Sequence, residues 1–327
     1  MVIDTHGHII LPEITYEAAP EESWRPKVYW QDGKQMIDYM GKQLKSAVKE
    51  FVDIEQILKN QEEAGVDRLL LAPWVSILRY KAPAEEGLRT SRIQNEALAK
   101  LAAKYPGQIS ALGTVPLQDP ELAAKELRSI MKEPGIHGVE IAASVDGKYL
   151  GDESFLPFWE AAEDSGAFVF IHPSIRAINV PEDFYMWNSV GNPLETTATA
   201  AHMILAGVME TFPNLKVLLA HGGGAILSLR GRLRHAHSFQ PQAKSKLKES
   251  PEDSLKRFYF DTVVHDPGVL RSLIEYVGVE HVCLGSDYPF DMGDLKPAEI
   301  VRALNLPQDD EKKILSGNAA GLLGLKV

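Results

Sequence analysis

Short apolar runs alternate with helical patterns along this chain. The runs are rich in valine, isoleucine, leucine and phenylalanine, and continuous runs of this kind are typical of parallel strands that are covered on both faces. The segments between them show helical spacing, with a helix stop at Ala64-Gly65 and a start at Asp119-Pro120. Strands are predicted at Val2–His6, Arg68–Pro73, Ile109–Pro116, Gly138–Ala142, Ala167–His172, Lys216–His221, Arg257–Val263 and His281–Asp287. Helices are predicted at Ile54–Glu63, Thr90–Lys104, Pro120–Lys132, Phe155–Asp164, Glu195–Phe212, Ala225–Ser238, Gly268–Val277, Pro297–Leu304 and Asp309–Leu323.

This alternation predicts an α/β fold, a (β/α)8 TIM barrel with a long insertion after the first strand. A doubly wound open sheet is the alternative, but no G-x-G-x-x-G sequence follows the first strand. We expect a single domain over residues 1–327, in which residues 9–52 form a loop or lid. That insertion is far longer than an ordinary connection, and its position after a strand places it near the active-site face.

Composition narrows the class of protein further. Hydrophobic residues are 45% and charged residues 24% of the 327, as in an ordinary globular protein. The net charge of −11 disfavours nucleic acid or an anionic membrane as a partner. The one cysteine, Cys283, excludes an intrachain disulfide and fits a reducing compartment. With no apolar run near the roughly 20 residues of a membrane span and no signal-peptide pattern, we predict a cytoplasmic protein.

Polar side chains with metal-binding chemistry stand at the ends of the predicted strands. His6 and His8 are two residues apart in a strand, so their side chains point the same way. His172, His221 and Asp287 end three later strands. Any one of these histidines could be a buried structural residue, but active sites of such barrels gather where the strands end. Together the five residues predict a metal site of the kind that zinc and similar ions occupy.

Nine different short motifs are distributed along nearly the whole chain. They are Ile3–His8, Gly113–Gln118, Ile171–Pro173, Glu195–Thr197, Phe212–Lys216, Ala220–Gly224, Val264–Pro267, Leu284–Phe290 and Gly317–Ala319. In these motifs the chain resembles the amidohydrolase superfamily. More narrowly, it resembles the branch that contains 2-amino-3-carboxymuconate-6-semialdehyde decarboxylase and the related hydroxybenzoate decarboxylases. The histidine followed by three glycines at His221–Gly224 is specific to this branch.

The resemblance implies roles for the residues at the strand ends. His6, His8, His172 and Asp287 match the metal ligands, and His221 matches the catalytic acid/base. Asp287 is counted as catalytic as well as a ligand. The expected cofactor is one divalent metal ion, zinc in most relatives and manganese in some. A homodimer is also implied.

Two features bear on the number of metals and on the support of the ligands. Hydrolytic superfamily members often carry a lysine that bridges two metals at the end of strand four. Here that strand reads Val139-Glu140-Ile141-Ala142, and the absence of a lysine implies a single metal. Asp261, at the end of the seventh predicted strand, could support the site or cap a helix.

The residues that would bind substrate are less constrained by the pattern. Lys45 stands where the aminocarboxymuconate enzymes use an arginine, and Gln240 where they borrow an arginine from the neighbouring subunit. A lysine does not reproduce the bidentate fork of arginine, so a different carboxylic acid is expected as substrate. Arg176 is a candidate anchor, or else a surface arginine on a loop. Trp187 could flank a planar substrate, or pack its loop onto the barrel.

We therefore predict a metal-dependent, non-oxidative decarboxylase that acts on a small unsaturated or aromatic carboxylic acid. The first alternative is a hydrolase or hydratase that uses the same single-metal site. The second is a non-catalytic metal-binding barrel, which the complete ligand set together with His221 argues against.

Overall fold

The computed structural model describes residues 1–44, 48–174 and 177–325. Eight parallel strands form its central sheet, in an order that follows the chain. They are β1 (Ile3–Ile9), β2 (Arg68–Pro73), β3 (Ile109–Gly113), β4 (Ile136–Ala142), β5 (Phe168–His172), β6 (Lys216–Leu219), β7 (Tyr259–Asp261) and β8 (Val282–Cys283).

The first and last strands approach each other and nearly close the sheet. The backbone N–H of Asp287 donates to the carbonyl of His6 at 2.9 Å, and that of His8 donates to the carbonyl of Tyr288 at 2.8 Å. These bonds lie beyond the short β8, in the segment that follows it. The predicted (β/α)8 barrel is confirmed.

Helices follow the strands around the outside of the sheet. Aspartates begin three of them, because Asp53, Asp119 and Asp266 accept hydrogen bonds from backbone N–H groups of the first turn. The predicted helix that ends at Lys104 begins earlier than expected, at Ala84. The main helices are Ile54–Glu63, Ala84–Lys104, Pro120–Ile130, Leu156–Ser165, Asn192–Leu205, Val208–Thr211, Ile226–Phe239, Pro241–Lys246, Pro251–Leu255, Pro267–Val277, Pro297–Arg302, Gln308–Lys312 and Asn318–Leu323.

The predicted helix Glu195–Phe212 is divided in the structure. Gly207 lies in the left-handed region, with φ of 74°, and separates Asn192–Leu205 from Val208–Thr211. A left-handed residue ends a helix, and glycine takes this conformation without strain.

Apolar side chains fill one end of the barrel interior. This end lies opposite the strand ends that carry the histidines. The C-terminal helix Asn318–Leu323 packs against this cluster. The cluster includes Ile3, Leu70, Leu112, Phe168, Phe170, Leu218, Ala319 and Leu322. One end of the barrel is thus sealed by hydrophobic packing, and polar groups concentrate at the other.

The insertion after β1 contains a small antiparallel sheet of three strands, Lys27–Gln31, Lys34–Tyr39 and Lys42–Leu44. Its last part returns to the end of the barrel at which the histidines lie. The ring of Phe51 lies 5.1 Å from that of Phe290, which in turn lies 5.3 Å from the ring of His8. The end of the insertion therefore contributes to the wall beside this histidine.

Among the described helices, none combines the length and apolar character needed to cross a lipid bilayer.

Candidate metal centre

The structure brings four predicted ligands together at the carboxyl ends of the strands. One ligand atom from each of His6, His8, His172 and Asp287 lies within 4.8 Å of the others. The Nε2 atoms of the three histidines are 3.1, 3.4 and 3.7 Å from Asp287 Oδ1. All four atoms are buried and lack hydrogen-bond partners among the described residues.

Burying unpaired polar atoms is costly, so a cluster of them at one point indicates a bound partner. Three imidazole nitrogens and one carboxylate oxygen suit zinc and other divalent first-row metals. The residues therefore fit a single metal ion.

Two of the three segments that carry ligands are joined by a buried aspartate. Asp4 accepts hydrogen bonds from the backbone N–H groups of His6 and Ser286, both at 3.0 Å, and from the Ser286 hydroxyl. Burial raises the pKa of Asp4 to about 6 despite these bonds. Because Ser286 precedes Asp287, Asp4 fixes the position of that ligand relative to β1.

Asp261 supports the site through four hydrogen bonds. Its Oδ2 lies 2.7 Å from Nδ1 of His6 and accepts the backbone N–H of His221 at 3.0 Å. Its Oδ1 accepts the N–H groups of Gly222 and Val263 at 2.8 and 3.1 Å. Of the two roles predicted for Asp261, the structure shows support of the site. With Nδ1 engaged, Nε2 of His6 faces Asp287 Oδ1 at 3.1 Å and would be the atom that binds a metal.

The charges of the centre favour ligation. Burial alone would raise the pKa of Asp287, but the charge of His6 and close contacts with His172 hold it well below its usual value. Burial lowers the pKa of His8 and, more strongly, that of His172. Burial opposes protonation of His6 too, yet Asp287 and Asp261 raise its pKa to about 10. At neutral pH the centre therefore presents an ionised carboxylate and two neutral imidazoles, which are the protonation states that metal ligation requires.

His221 lies beside the cluster and outside it. Its Nε2 is 3.5 Å from Asp287 Oδ2, and its side chain is 12% exposed, whereas those of His6 and His8 are fully buried. Its backbone is left-handed, with φ of 57°. Its side chain is thus more exposed than those of the three histidine ligands.

The backbone conformation and the close packing after His221 require glycine. Gly222 and Gly224 also have positive φ, of 59° and 64°. A Cβ on Gly224 would lie 2.1 Å from the carbonyl oxygen of Pro193, and one on Gly222 would lie 2.4 Å from a methyl of Val264. Only glycine fits this turn, which places the His221 ring at the rim.

The predicted substrate-binding residues are only partly described. Lys45 and Arg176 lie outside the described residues. Trp187 is half-buried in a π-helical turn, and its ring contacts that of Tyr185 at 5.1 Å. The Tyr185 hydroxyl donates to Asp291 Oδ1 at 2.8 Å. The loop after β5 is thus tied to the segment that follows Asp287, and a role for Trp187 in binding substrate stays a prediction.

Sequence reasoning assigned no role to Glu140. Its fully buried side chain lies behind the ligands, with Oε1 at 3.6 Å from His8 Nδ1 and 4.0 Å from His172 Nδ1. Burial raises its pKa well above the usual value. A glutamate inside the otherwise apolar run Gly138–Ala142 was the signal that could have identified it.

A barrel with this ligand cluster agrees with an amidohydrolase, and residues 3–325 match that family. The chain belongs to the amidohydrolase family.

Comparison with individual proteins narrows the branch. The chain is 32% identical to 2-amino-3-carboxymuconate-6-semialdehyde decarboxylase of Dictyostelium discoideum over 296 residues, which cover 89% of this chain and 82% of the relative. The crystal structure of 5-carboxyvanillate decarboxylase from Sphingomonas paucimobilis matches with a TM-score of 0.84 and 27% identity over 99% of each chain. The chain therefore lies in the decarboxylase branch of the family.

A second 5-carboxyvanillate decarboxylase, from Novosphingobium aromaticivorans, shares the fold. Its TM-score is 0.81 at 21% identity, over 99% of this chain and 96% of that one. That structure contains manganese and 4-hydroxy-3-methoxy-5-nitrobenzoic acid.

Proposed function

We propose that this protein is a metal-dependent decarboxylase, a carbon–carbon lyase that acts on an unsaturated or aromatic carboxylic acid. The observation that carries the proposal is the set of four unpaired ligand atoms with His221 beside it. The similarity to decarboxylases over most of the chain supports the same reaction.

His6, His8, His172 and Asp287 would hold one divalent metal ion, and the donor set favours zinc, with manganese as the alternative. When bound, such an ion polarises a substrate oxygen as a Lewis acid. Elemental analysis of protein purified without added metal tests the choice. One equivalent of zinc is expected, and a predominance of manganese would contradict the assignment to zinc.

In the proposed reaction His221 supplies the proton. Its Nε2–H donates to the carbon that bears the carboxylate, the bond to the carboxylate carbon breaks, and carbon dioxide leaves. The electron pair of the broken bond restores the double bond or the aromatic ring. Asp261 holds the backbone of His221 through its N–H and so keeps the ring beside Asp287.

Measurement of carbon dioxide release tests the reaction. The metal-loaded protein is assayed with hydroxybenzoates, carboxyvanillate and muconate semialdehydes, and in parallel with aryl esters, amides and activated alkenes. Carbon dioxide is expected from at least one carboxylated aromatic or muconate. Turnover confined to the esters, amides or alkenes would support the hydrolase or hydratase instead.

Lys45 or Arg176 would anchor the substrate carboxylate, and Trp187 would flank a planar substrate. The support for Lys45 is Val48, three residues later in the sequence, whose N–H donates at 2.9 Å to the carbonyl of Pro289, two residues after Asp287. For Trp187 the support is the link from Tyr185 to Asp291.

Replacing the anchoring residue, in Lys45→Met or Arg176→Met, is expected to raise KM by about 10- to 100-fold with a small change in kcat, since a charge-assisted hydrogen bond is lost. Steady-state kinetics on the substrate found above measures both constants. Lys42→Met, at an exposed position of the same insertion, is the matched control and leaves KM unchanged. If neither variant raises KM, the anchor lies elsewhere.

We also propose a cytoplasmic homodimer. The support is the resemblance to the decarboxylase branch and a single, buried, free cysteine. Sedimentation equilibrium is expected to give twice the mass of 36.2 kDa, and the mass of one chain would contradict the dimer. Fractionation of cells that express the tagged protein tests the location, and recovery outside the cytoplasm would contradict it.

A further inference from the structure

Glu140 is a buried carboxylate that the proposed reaction does not use. The register between β4 and β5 pairs Ala142 with His172 and Glu140 with Phe170. Alternate residues of a strand share a face, so Glu140 lies one inward position below the level of His172. It is fully buried, and neither of its side-chain oxygens has a hydrogen-bond partner in the described part of the chain.

The atoms that face Glu140 are also unpaired. Nδ1 of His8 and Nδ1 of His172 lie 3.6 and 4.0 Å from the same oxygen, Oε1, and neither has a hydrogen-bond partner among the described residues. Both distances are too short for a water molecule to lie on the line between Oε1 and either nitrogen, because two hydrogen bonds in line span about 5.5 Å. Two buried nitrogens and one buried oxygen are therefore direct neighbours.

Ligation determines which nitrogen of each ring carries the proton. His8 and His172 direct Nε2 to Asp287 and the ligand cluster, so the proton of each neutral ring is on Nδ1. Each buried Nδ1–H then needs an acceptor. For His8 the carbonyl of Pro73 also faces the ring, whereas Glu140 supplies the carboxylate within reach of His172.

We propose that Glu140 is a positioning residue whose Oε1 accepts the Nδ1–H of His172 and of His8 in the metal-bound protein. A small inward movement of either ring brings the pair to hydrogen-bond distance, and such bonds commonly tighten on ligand binding. All three histidine ligands are then oriented by a carboxylate, since Asp261 already holds His6. The inference rests on the proposed function only in that the site holds a metal.

The test compares metal affinity in three variants, measured by competition with a chelator of known zinc affinity. Glu140→Leu removes the acceptor and is expected to weaken zinc binding by about 10- to 100-fold. Glu140→Gln keeps an amide oxygen and is expected to lose much less. Glu126→Leu is the matched control, because Glu126 is also a buried carboxylate but binds Arg92 and Asn95 away from the centre. Its zinc affinity is expected to be unchanged.

Thermal denaturation of the metal-free proteins separates positioning from a structural role. Removing the unpaired Glu140 carboxylate in Glu140→Leu is expected to raise the melting temperature, because its burial is uncompensated. Glu126→Leu is expected to lower it, since Arg92 and Asn95 lose a partner. A lower melting temperature for Glu140→Leu with unchanged zinc affinity would show a structural residue and overturn the proposal.

Nitrogen-15 NMR of the zinc-loaded histidines provides a readout that does not require Glu140→Leu to fold. Nδ1–H signals of His8 and His172 are expected at low field in the native protein and at higher field in Glu140→Gln. Identical signals in the two proteins, or protons on Nε2, would overturn the proposal. Affinity and tautomer do not depend on the reaction, so a failed decarboxylation assay would leave this result standing, and the reverse also holds.

Discussion

Replacing His221 with asparagine is expected to lower kcat for decarboxylation by about 10²- to 10⁴-fold, the usual contribution of a general acid or base. The bound metal is expected to remain. His221 lies beside the four ligand atoms, with Nε2 at 3.5 Å from Asp287 Oδ2. Its side chain is more exposed than that of Asp287. Asparagine tolerates the left-handed backbone at this position better than alanine does. Steady-state kinetics and elemental analysis of the same preparation measure both quantities.

The chain offers a matched control for this substitution. His265 is an exposed histidine that also has a left-handed backbone, with φ of 55°. His265→Asn makes the same change of side chain in the same backbone conformation and is expected to leave kcat and metal content unchanged. If His221→Asn loses its metal while the remaining metal-loaded fraction turns over normally, His221 is a ligand and the acid/base role is wrong.

Asp261→Asn is expected to weaken metal binding by about 10- to 100-fold and to lower kcat at saturating metal. Each carboxylate oxygen of Asp261 accepts two hydrogen bonds, and an amide has only one oxygen. If the NH2 group replaces Oδ2, His6 and the backbone of His221 lose their acceptor. If it replaces Oδ1, the N–H groups of Gly222 and Val263 lose theirs, and the turn that carries His221 shifts.

The same substitution is expected to destabilise the fold by about 1–3 kcal/mol or more, since buried donors are left unpaired. Metal titration, kinetics and denaturant unfolding measure the three effects. Asp266→Asn is the matched control, because Asp266 is exposed and begins the next helix, where asparagine serves equally well. Native metal affinity and kcat in Asp261→Asn would show that the carboxylate does not support the site.

Much of the barrel could be predicted from local patterns. Each strand is a short apolar run, and each helix shows the helical spacing of apolar residues. Both patterns can therefore be recognised in a short stretch of sequence. β2 was predicted with the bounds that the structure shows. β4 was predicted two residues too short, and the other later strands were predicted too long. β8 covers only Val282–Cys283 of the expected His281–Asp287. Residues 284–287 are buried like a strand, and burial alone does not reveal where a hydrogen-bonded ladder stops.

The composition of the centre was also readable, because parallel strands in a barrel end on the same side. A histidine or aspartate at a strand end is therefore near the others, however far apart they are in sequence. This reasoning selected His6, His8, His172, His221 and Asp287 together, and the structure places ligand atoms of all but His221 within 4.8 Å of one another. The separation of His221 from the four ligands was implied by the resemblance to the decarboxylase branch.

The support of the ligands was decided by tertiary structure. His6 and Asp261 are 255 positions apart and meet across the barrel at 2.7 Å. Glu140 was visible in the sequence as part of β4, but its neighbours, His8 and His172, belong to two other strands. Local periodicity specifies which residues face inward, whereas barrel closure and strand register determine which inward-facing side chains touch. The sequence by itself thus determined the fold and the kind of metal site, and only the folded barrel decided how each ligand is oriented.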